Sequence, residues 1–387
     1  MDKNKEINIF TTFLLAVQHI FAMFGATVLV PFLTGLDPGM AILASGIGTL
    51  LFHFITKGKV PAYLGSSFAY IAALAFLVKE MKNPGAAMGA VFIVGILYIA
   101  VYGVVRVLGT ETINKYIPPV VVGPVVMIIG LSLARTAVND MASTNWSVAI
   151  FTLIMAIVFS AFTKGFLKII PVLLGITSGY ILAAFLGLVD FTQVAGAPVI
   201  HHFQWIAPAF DLSAILLMAP IVLVTVLEDL GHIFVLENII GKPLMKDPGF
   251  KSVLLGNGLG TIASSLVGGP PLTTYGENIG VLSITKVYNS RVIQLAAVIA
   301  ILLSFFGKLS ALISTIPAAV MGGICILLFG MIAAAGIRTL VDDRTDLSST
   351  KNLIIIAVIL IIGVGSEKVG YATLAGILLN LILPEDI

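Results

Sequence analysis

The sequence contains very little charge. Only 10% of its 387 residues are Asp, Glu, Lys or Arg, whereas a soluble globular protein carries about 25%. A chain this poor in charge cannot cover the surface of a water-soluble domain of its size, so the composition excludes one. The net charge of +2 is small and the basic residues stand singly, which gives no indication of a nucleic-acid partner.

Cysteine is almost absent as well, since Cys325 is the single cysteine of the chain. One thiol cannot form an intrachain disulfide, and it cannot build a cysteine-based metal site. The sequence also offers no clear cleavable signal peptide, because the apolar block that begins at Phe10 is too long for a signal-peptide core. We therefore expect Phe10 to open the first permanent span.

Long apolar blocks dominate the rest of the chain. Hydrophobic residues make up 59% of it, and a helix that crosses a bilayer needs roughly 20 of them in succession. The pattern predicts an all-α polytopic membrane protein with fourteen spans. Their expected ranges are 10–34, 38–56, 66–79, 86–108, 116–135, 146–163, 166–189, 212–236, 252–267, 274–285, 291–307, 310–336, 352–366 and 369–384.

The distribution of Lys and Arg supports this count. If the N-terminus is cytoplasmic and every block crosses, 16 of the 21 basic residues lie inside and 5 lie outside, with Lys3, Lys5 and Lys115 among the inner ones. Cytoplasmic loops retain Lys and Arg in this way. Fourteen spans would place both termini in the cytoplasm.

The chain divides into two halves of seven spans each. The segment 190–211, which has no Lys or Arg, separates them. Because seven is odd, the second half enters the membrane with the opposite polarity. Two inverted halves are typical of secondary transporters, whose substrate binds near the midplane where the halves meet.

Two segments at equivalent places in the halves are rich in Gly, Pro, Ser or Thr and precede short helices. They are residues 61–70 and 268–280. Non-helical backbone at membrane depth is tolerated only where protein or a water-filled cavity satisfies its polar groups. Paired, interrupted segments therefore predict the binding site, although external loops with proline kinks would give a similar pattern.

Three ionisable residues fall where we expect the bilayer interior. Glu228 lies within the eighth predicted span, and His232 follows four residues later on the same helix face. Glu277 lies in the second interrupted segment, at the start of its short helix. A charged group at this depth costs about 3 kcal/mol, which indicates a function and a partner. We expect His232 to be the partner of Glu228, and we assign no role to Asp229.

The residue spacing indicates neither a metal site nor an enzyme. A zinc peptidase helix needs two histidines in H-E-x-x-H, and residues 228–232, EDLGH, offer one. A membrane-embedded hydrolase would require an activated nucleophile or a second metal ligand near Glu228, and neither is apparent. His19, in the first predicted span, is equally consistent with a structural role and with a part in ion coupling.

The predicted site suits a planar polar ligand. Two carboxylates facing one cavity repel an anion and match a ligand with N–H donors. Free amides at the helix starts near Phe68 and Gly276 can donate to a carbonyl oxygen, and Phe68 and Tyr275 provide aromatic faces. A nucleobase satisfies all these groups, and the titratable Glu228 and His232 provide a route for a coupled proton.

Four segments carry a resemblance to a known family. They are QHIFAMFGATVLVP at 18–31, KVPAYLGSSFAY at 59–70, EDLGH at 228–232 and TTYGENIGVLSITK at 273–286. They resemble the nucleobase–ascorbate transporters (nucleobase:cation symporter 2 family), and most closely its bacterial uracil branch. ENIGVLSITK fits the family signature of an acidic or amide residue, Asn-x-Gly, four residues, Thr and a basic residue. The resemblance extends over nearly the whole chain.

The resemblance implies a particular fold and assembly. The fold is a seven-plus-seven inverted repeat with short antiparallel β-strands in spans 3 and 10. A core domain would comprise residues 1–110 and 205–308, and a gate domain residues 111–195 and 309–387. The family also implies a homodimer surrounded by lipid in a bacterial inner membrane.

The resemblance further implies uracil import by proton symport, with alternating access between core and gate and no cofactor besides the coupling H⁺. Xanthine or another nucleobase is the alternative substrate, and an anion transporter of the same architecture is a more distant one. Glu228 and His232 would couple the proton. The implied substrate-binding residues are Ala26, Phe68, Glu228, His232, Tyr275, Gly276 and Glu277.

The chain departs from the family pattern in three places. Phe329 stands where the uracil branch has a tyrosine, which would remove a hydroxyl contact from the gate to the site. Pro270 and Pro271 alter the approach to the strand of span 10. The last span is short and the sequence ends soon after it, at Ile387.

Overall fold

The computed structural model describes residues 8–109, 118–366 and 368–384. Within these residues, six helical stretches are long and apolar enough to cross a membrane, and five shorter apolar helices accompany them. Two of the six, Pro119–Thr144 and Leu212–Ile240, contain a short irregularity that divides them in the bounds given below. The terminal lysines Lys3 and Lys5, residue Lys115 and the end of the chain at Ile387 lie outside the described residues. The cytoplasmic position of the termini therefore stays a prediction.

The described residues of the first half form seven α-helices and one short strand, β1, at Leu64–Ser66. A 3₁₀ turn at Phe68–Tyr70 leads from this strand into the third helix. The helices are α1 Ile9–Thr34, α2 Pro38–Ile55, α3 Ile71–Ala75, α4 Pro84–Leu108, α5 Pro119–Ser132, α6 Trp146–Phe162 and α7 Pro171–Phe185.

The second half contains the strand β2, Leu272–Thr274. A short helix, α8 at Thr192–Gly196, lies in the connection between the halves. The remaining helices are α9 Leu212–Met218, α10 Ile221–Ile240, α11 Phe250–Leu266, α12 Gly276–Thr285, α13 Ser290–Ser304, α14 Gly307–Ser314, α15 Ala318–Asp342, α16 Thr350–Ser366 and α17 Val369–Ile382.

Local sequence explains where several helices begin and end. Asp37 and Asn83 cap α2 and α4 by accepting a hydrogen bond from a first-turn amide, and each is followed by a proline at the first helical position. Such positions suit proline because their amides have no helical partner. Gly35 and Gly241 end α1 and α10 in the left-handed conformation, which glycine adopts without steric cost.

Two predicted spans differ from the structure, and proline is the reason in both. The range 212–236 is interrupted at Pro220, which separates α9 from α10. The predicted start of the twelfth span at 310 is wrong, because residues 307–314 form the separate helix α14 and the long helix begins only after Pro317. Proline has no amide proton, so neither Pro220 nor Pro317 can donate the hydrogen bond that would continue a preceding helix.

The helices pack as two groups. We call α1, α2, α4, α9 to α13 and both strands the strand bundle, and α5 to α7 with α15 to α17 the peripheral bundle. Within the strand bundle α11 packs on α4 and α2, while in the peripheral bundle α15 packs on α5 and α6. The two bundles touch where α1 meets α7 and where α10 meets α5 and α17.

Glycines allow the closest helix contacts in both bundles. A Cβ on Gly95 of α4 would lie 2.7 Å from the carbonyl oxygen of Gly258 on α11. A Cβ on Gly123 of α5 would lie 2.9 Å from the carbonyl oxygen of Gly336 on α15. Lipid tails are as apolar as leucine, so membrane helices associate largely through such close packing of small residues.

We predict that Gly95→Ala destabilises the protein, because its methyl group would also lie 2.9 Å from the Ile262 backbone nitrogen. Overpacking of this kind costs about 1–3 kcal/mol. The measurement is the thermal unfolding midpoint in detergent. Gly103→Ala on the same helix is the matched control, since a Cβ there meets nothing within 4 Å. Equal midpoints for the two variants would contradict the prediction.

Candidate functional site

The centre of the site is a pair of antiparallel strands between the two interrupted segments. Gly65 in β1 lies opposite Thr273 in β2. The pairing extends at both ends: the Ser67 amide donates to the Pro271 carbonyl, and the Tyr275 amide donates to the Tyr63 carbonyl, both at 2.9 Å. The strands therefore satisfy backbone groups that lipid could not.

The two prolines before β2 fit this arrangement because their carbonyl groups accept hydrogen bonds. The Pro271 carbonyl continues the strand pairing, and the Pro270 carbonyl accepts a hydrogen bond from the Ser264 hydroxyl at 2.5 Å. Neither position requires an amide donor, which proline lacks. Pro270 and Pro271, which depart from the family pattern, are therefore compatible with a regular strand at β2.

A helical segment starts directly after each strand. The turn at Phe68–Tyr70 follows Ser67, and α12 follows Tyr275. Neither Ser67 nor Tyr275 caps its helix with a side-chain hydrogen bond. The first amides of both helices therefore have no side-chain acceptor at the cap and can donate to a bound group.

Asp229, to which the sequence assigned no role, is the anchor of β2. One carboxylate oxygen, Oδ1, accepts hydrogen bonds from the Thr273 hydroxyl at 3.0 Å and from the Thr274 amide and hydroxyl at 3.0 and 2.7 Å. The other, Oδ2, accepts from the Tyr98 hydroxyl at 3.0 Å and from the Asn257 amide at 2.5 Å. Asp229 thus joins α10 to β2, α4 and α11.

The predicted pairing of His232 with Glu228 is wrong. Among the described residues the hydrogen-bond partner of His232 is Thr274, whose hydroxyl oxygen lies 2.9 Å from Nδ1. The spacing of four residues does place both side chains on one face of α10. The strand β2 lies against that face, and its Thr274 hydroxyl contacts the His232 ring at Nδ1.

Glu228 and Glu277 remain accessible. Glu228 is exposed, Glu277 is half-buried and Gly276 between the strand and α12 is exposed. Glu228 lies within electrostatic range of Glu277. Toward the end of α10 the accessible positions continue at Gly231, where a Cβ would meet nothing within 4 Å. Both carboxylates are therefore accessible near the start of α12.

The two aromatic residues of the predicted site differ in their surroundings. Phe68 is half-buried and packs against two hydrophobic clusters, each of which includes residues of both bundles. Tyr275, predicted to provide an aromatic face for the ligand, is buried: its ring lies over Gly65, where a Cβ would be 2.1 Å from Cζ, and its hydroxyl donates to the Ser66 carbonyl at 3.1 Å. The Tyr275 ring can be buried at this position because Gly65 has no side chain to exclude it.

The remaining candidates are buried in the protein. Ala26 is 3% exposed within α1, and Phe329 is 2% exposed in the core of the peripheral bundle. His19 joins α1 to α12, since the Asn278 side-chain amide lies 3.0 Å from both the ring Nδ1 and the backbone oxygen of His19. This contact gives His19 a structural role next to Glu277.

We predict that Gly65→Ala disrupts the strand pair, because its methyl group would overlap the Tyr275 ring. The thermal unfolding midpoint in detergent should fall, and combining the change with Tyr275→Leu should restore part of the loss. Gly231→Ala, whose Cβ has no neighbour within 4 Å, should leave the midpoint unchanged. A double variant less stable than Gly65→Ala alone would contradict this account.

Comparison with known proteins identifies similar sequences. The family profile described as "Permease family" matches residues 10–370. The uracil permease of Bacillus caldolyticus is 47% identical over 395 residues, covering 96% of this chain and 91% of that protein. The uracil permease of Escherichia coli K12 is 43% identical over 381 residues, with coverage of 95% and 88%. The putative pyrimidine permease RutG of the same organism is 43% identical over 401 residues, with coverage of 97% and 90%.

Solved structures show where the fold occurs. The structure of SLC26A9 superposes with a TM-score of 0.69 at 11% identity, covering 96% of this chain and 64% of that longer chain. The transmembrane domain of the cyanobacterial bicarbonate transporter BicA superposes with a TM-score of 0.59 at 15% identity, covering 96% of both chains. At these identities the likeness concerns the fold alone.

Proposed function

We propose a substrate and a mechanism from one established premise: the chain belongs to the nucleobase–ascorbate transporter family of permeases. It is a multi-pass membrane transporter and not an enzyme. We propose that it imports uracil by proton symport.

The accessible carboxylates of Glu228 and Glu277 beside the start of α12 carry the substrate proposal. An ionised carboxylate accepts hydrogen bonds, and a carboxyl group keeps an acceptor oxygen when it is protonated, so both residues suit the N–H groups of a pyrimidine. The amides at the start of Phe68–Tyr70 and at Gly276 suit its carbonyl oxygens. Two relatives are named uracil permease, which supports uracil as the substrate.

Two other substrates are less well supported. Xanthine and urate transporters of the family more often have glutamine at the position of Glu277, so the glutamate favours uracil. An anion is the substrate named for BicA, which has a similar fold. In this chain, however, Glu228 and Glu277 would repel an anion at the same place.

The packing of the two bundles supports the division into core and gate. The strand bundle corresponds to the core, residues 1–110 and 205–308, and the peripheral bundle to the gate, residues 111–195 and 309–387. If each of the six long and five shorter apolar helices, α11 and the two interrupted segments crosses the membrane, the described residues make fourteen crossings. We propose that these form seven-plus-seven inverted repeats.

Movement of the gate against the core would expose the site to each side in turn. The bundles meet through few elements, and Phe68 packs on both, next to the proposed site. An opening of about 290 Å³ lies between the bundles, lined by Leu33 and Leu217 from the strand bundle and by Val369 from the peripheral bundle. A change in the angle between the bundles would alter this space.

We propose that Glu228 carries the coupled proton, with His232 supporting it. A charged carboxylate is costly at membrane depth, whereas its protonated form with bound substrate is neutral. Proton binding would therefore favour the movement that releases uracil inside. By the same family resemblance we propose a homodimer in the lipid of a bacterial inner membrane, with both termini cytoplasmic.

We predict that Glu228→Gln abolishes coupling, because the amide cannot exchange the proton. The measurement is labelled uracil uptake into proteoliposomes, as the ratio of rates with and without an imposed pH gradient, and this ratio should fall to about one. Glu237→Gln is the control on the same helix, where Oε2 accepts from the Met245 amide, and it should keep the wild-type ratio. Full gradient stimulation in Glu228→Gln would refute the coupling role.

We predict that Glu277→Gln weakens uracil binding. Loss of a charge-assisted hydrogen bond costs about 1.5–3 kcal/mol, which corresponds to roughly 10- to 100-fold in Kd. Equilibrium binding of labelled uracil, competed with xanthine and sulfate, measures the effect. Unchanged affinity in a folded variant would remove Glu277 from the site. Competition by sulfate as strong as that by unlabelled uracil in the wild type would favour the anion transporter instead.

A further inference from the structure

A chain of hydrogen bonds links His232 to Asp229 through a single hydroxyl. The Thr274 Oγ1 lies 2.7 Å from Asp229 Oδ1 and 2.9 Å from His232 Nδ1. Asp229 and Thr274 are both fully buried, whereas His232 is only half-buried. The chain therefore runs from the interior of the strand bundle toward the site.

The direction of these hydrogen bonds follows from the other partners of Asp229. Its carboxylate accepts from five donors, of which three converge on Oδ1 and two on Oδ2. An ionised carboxylate has about four acceptor sites and no proton to donate. The single hydroxyl proton of Thr274 is thus directed to Asp229. The lone pairs of the Thr274 oxygen then accept a hydrogen bond from the N–H group at Nδ1 of His232.

The other ring nitrogen is left facing the site. With Nδ1 protonated, a neutral imidazole has an unprotonated Nε2, which can only accept. A Cβ on Gly276 would lie 3.2 Å from this Nε2, and Gly276 is the exposed first residue of α12, next to Glu277. An acceptor therefore lies beside the amide donors that start the helix.

We propose that Asp229 is a positioning residue that acts through Thr274 to hold His232 with its proton on Nδ1, so that Nε2 accepts an N–H group of the substrate. The identity of that substrate rests on the proposed nucleobase transport. The position of the proton on the His232 ring does not rest on that function, because it is determined by contacts within the protein.

The two neighbouring threonines form a matched pair for testing this role. Both hydroxyls donate to Asp229 Oδ1, Thr273 at 3.0 Å and Thr274 at 2.7 Å, and both side chains are buried. Only Thr274 also contacts His232. A purely structural role for Asp229 predicts similar defects for Thr273→Val and Thr274→Val, whereas a positioning role predicts a defect in substrate recognition for Thr274→Val alone.

The first test observes the imidazole directly. Nitrogen-15 NMR of histidine-labelled protein without substrate, with His232→Gln to assign its signals among the 5 histidines, should show a protonated Nδ1 and an unprotonated Nε2. Thr274→Ser should keep this pattern and Thr274→Val should lose it. A proton on Nε2 in the wild-type protein, or on both nitrogens, would overturn the proposal.

The second test measures recognition. Uracil binding should weaken about tenfold in Thr274→Val, recover in Thr274→Ser and change less than twofold in Thr273→Val. Uracil methylated at the nitrogen that donates to Nε2 should bind Thr274→Val and wild type equally. Equal losses for both valine variants, or no recovery with serine, would overturn the proposal. Wild-type protein that shows the expected imidazole but binds no uracil would refute the nucleobase function and leave the tautomer established.

Discussion

The buried carboxylate of Asp229 is the contact on which the site depends. It lies on α10 and accepts hydrogen bonds from both threonines of β2, from Tyr98 on α4 and from Asn257 on α11. An unpaired charge in this position would be strongly unfavourable, and five donors remove that penalty. The same bonds fix the distance between β2 and the helix that carries Glu228.

The strand pair solves a second problem, which is extended backbone at membrane depth. Each short strand satisfies its backbone amides and carbonyls partly through the other strand. Side chains contribute as well: the Thr49 hydroxyl accepts from the Leu64 amide, and the Thr261 hydroxyl accepts from the Leu272 amide. Because the two strands come from opposite halves of the chain, this pairing brings both interrupted segments to one place. Helix starts and carboxylates that are far apart in sequence thereby become neighbours.

Prediction from sequence succeeded where the pattern is a property of one segment. The apolar blocks identify a multi-pass membrane protein, and the family resemblance is confirmed by relatives that are 42–47% identical. Contacts between segments were harder to predict. The partner of His232 proved to be Thr274, 42 residues away, and the Tyr275 ring is buried because Gly65 of the other half leaves room for it. Proline boundaries at Pro220 and Pro317 were visible in the sequence but were not used to divide the blocks.

The sequence by itself determined the membrane environment, the family and the presence of acidic residues in apolar surroundings, because hydropathy and motifs depend on residues close together along the chain. Only the tertiary structure decided which of these acids anchors the fold and which remains accessible. Glu228 and Asp229 are adjacent, yet Glu228 is exposed and Asp229 is enclosed by three helices and a strand. Their difference arises from the direction in which each points from α10, and that is fixed by the elements packed around the helix.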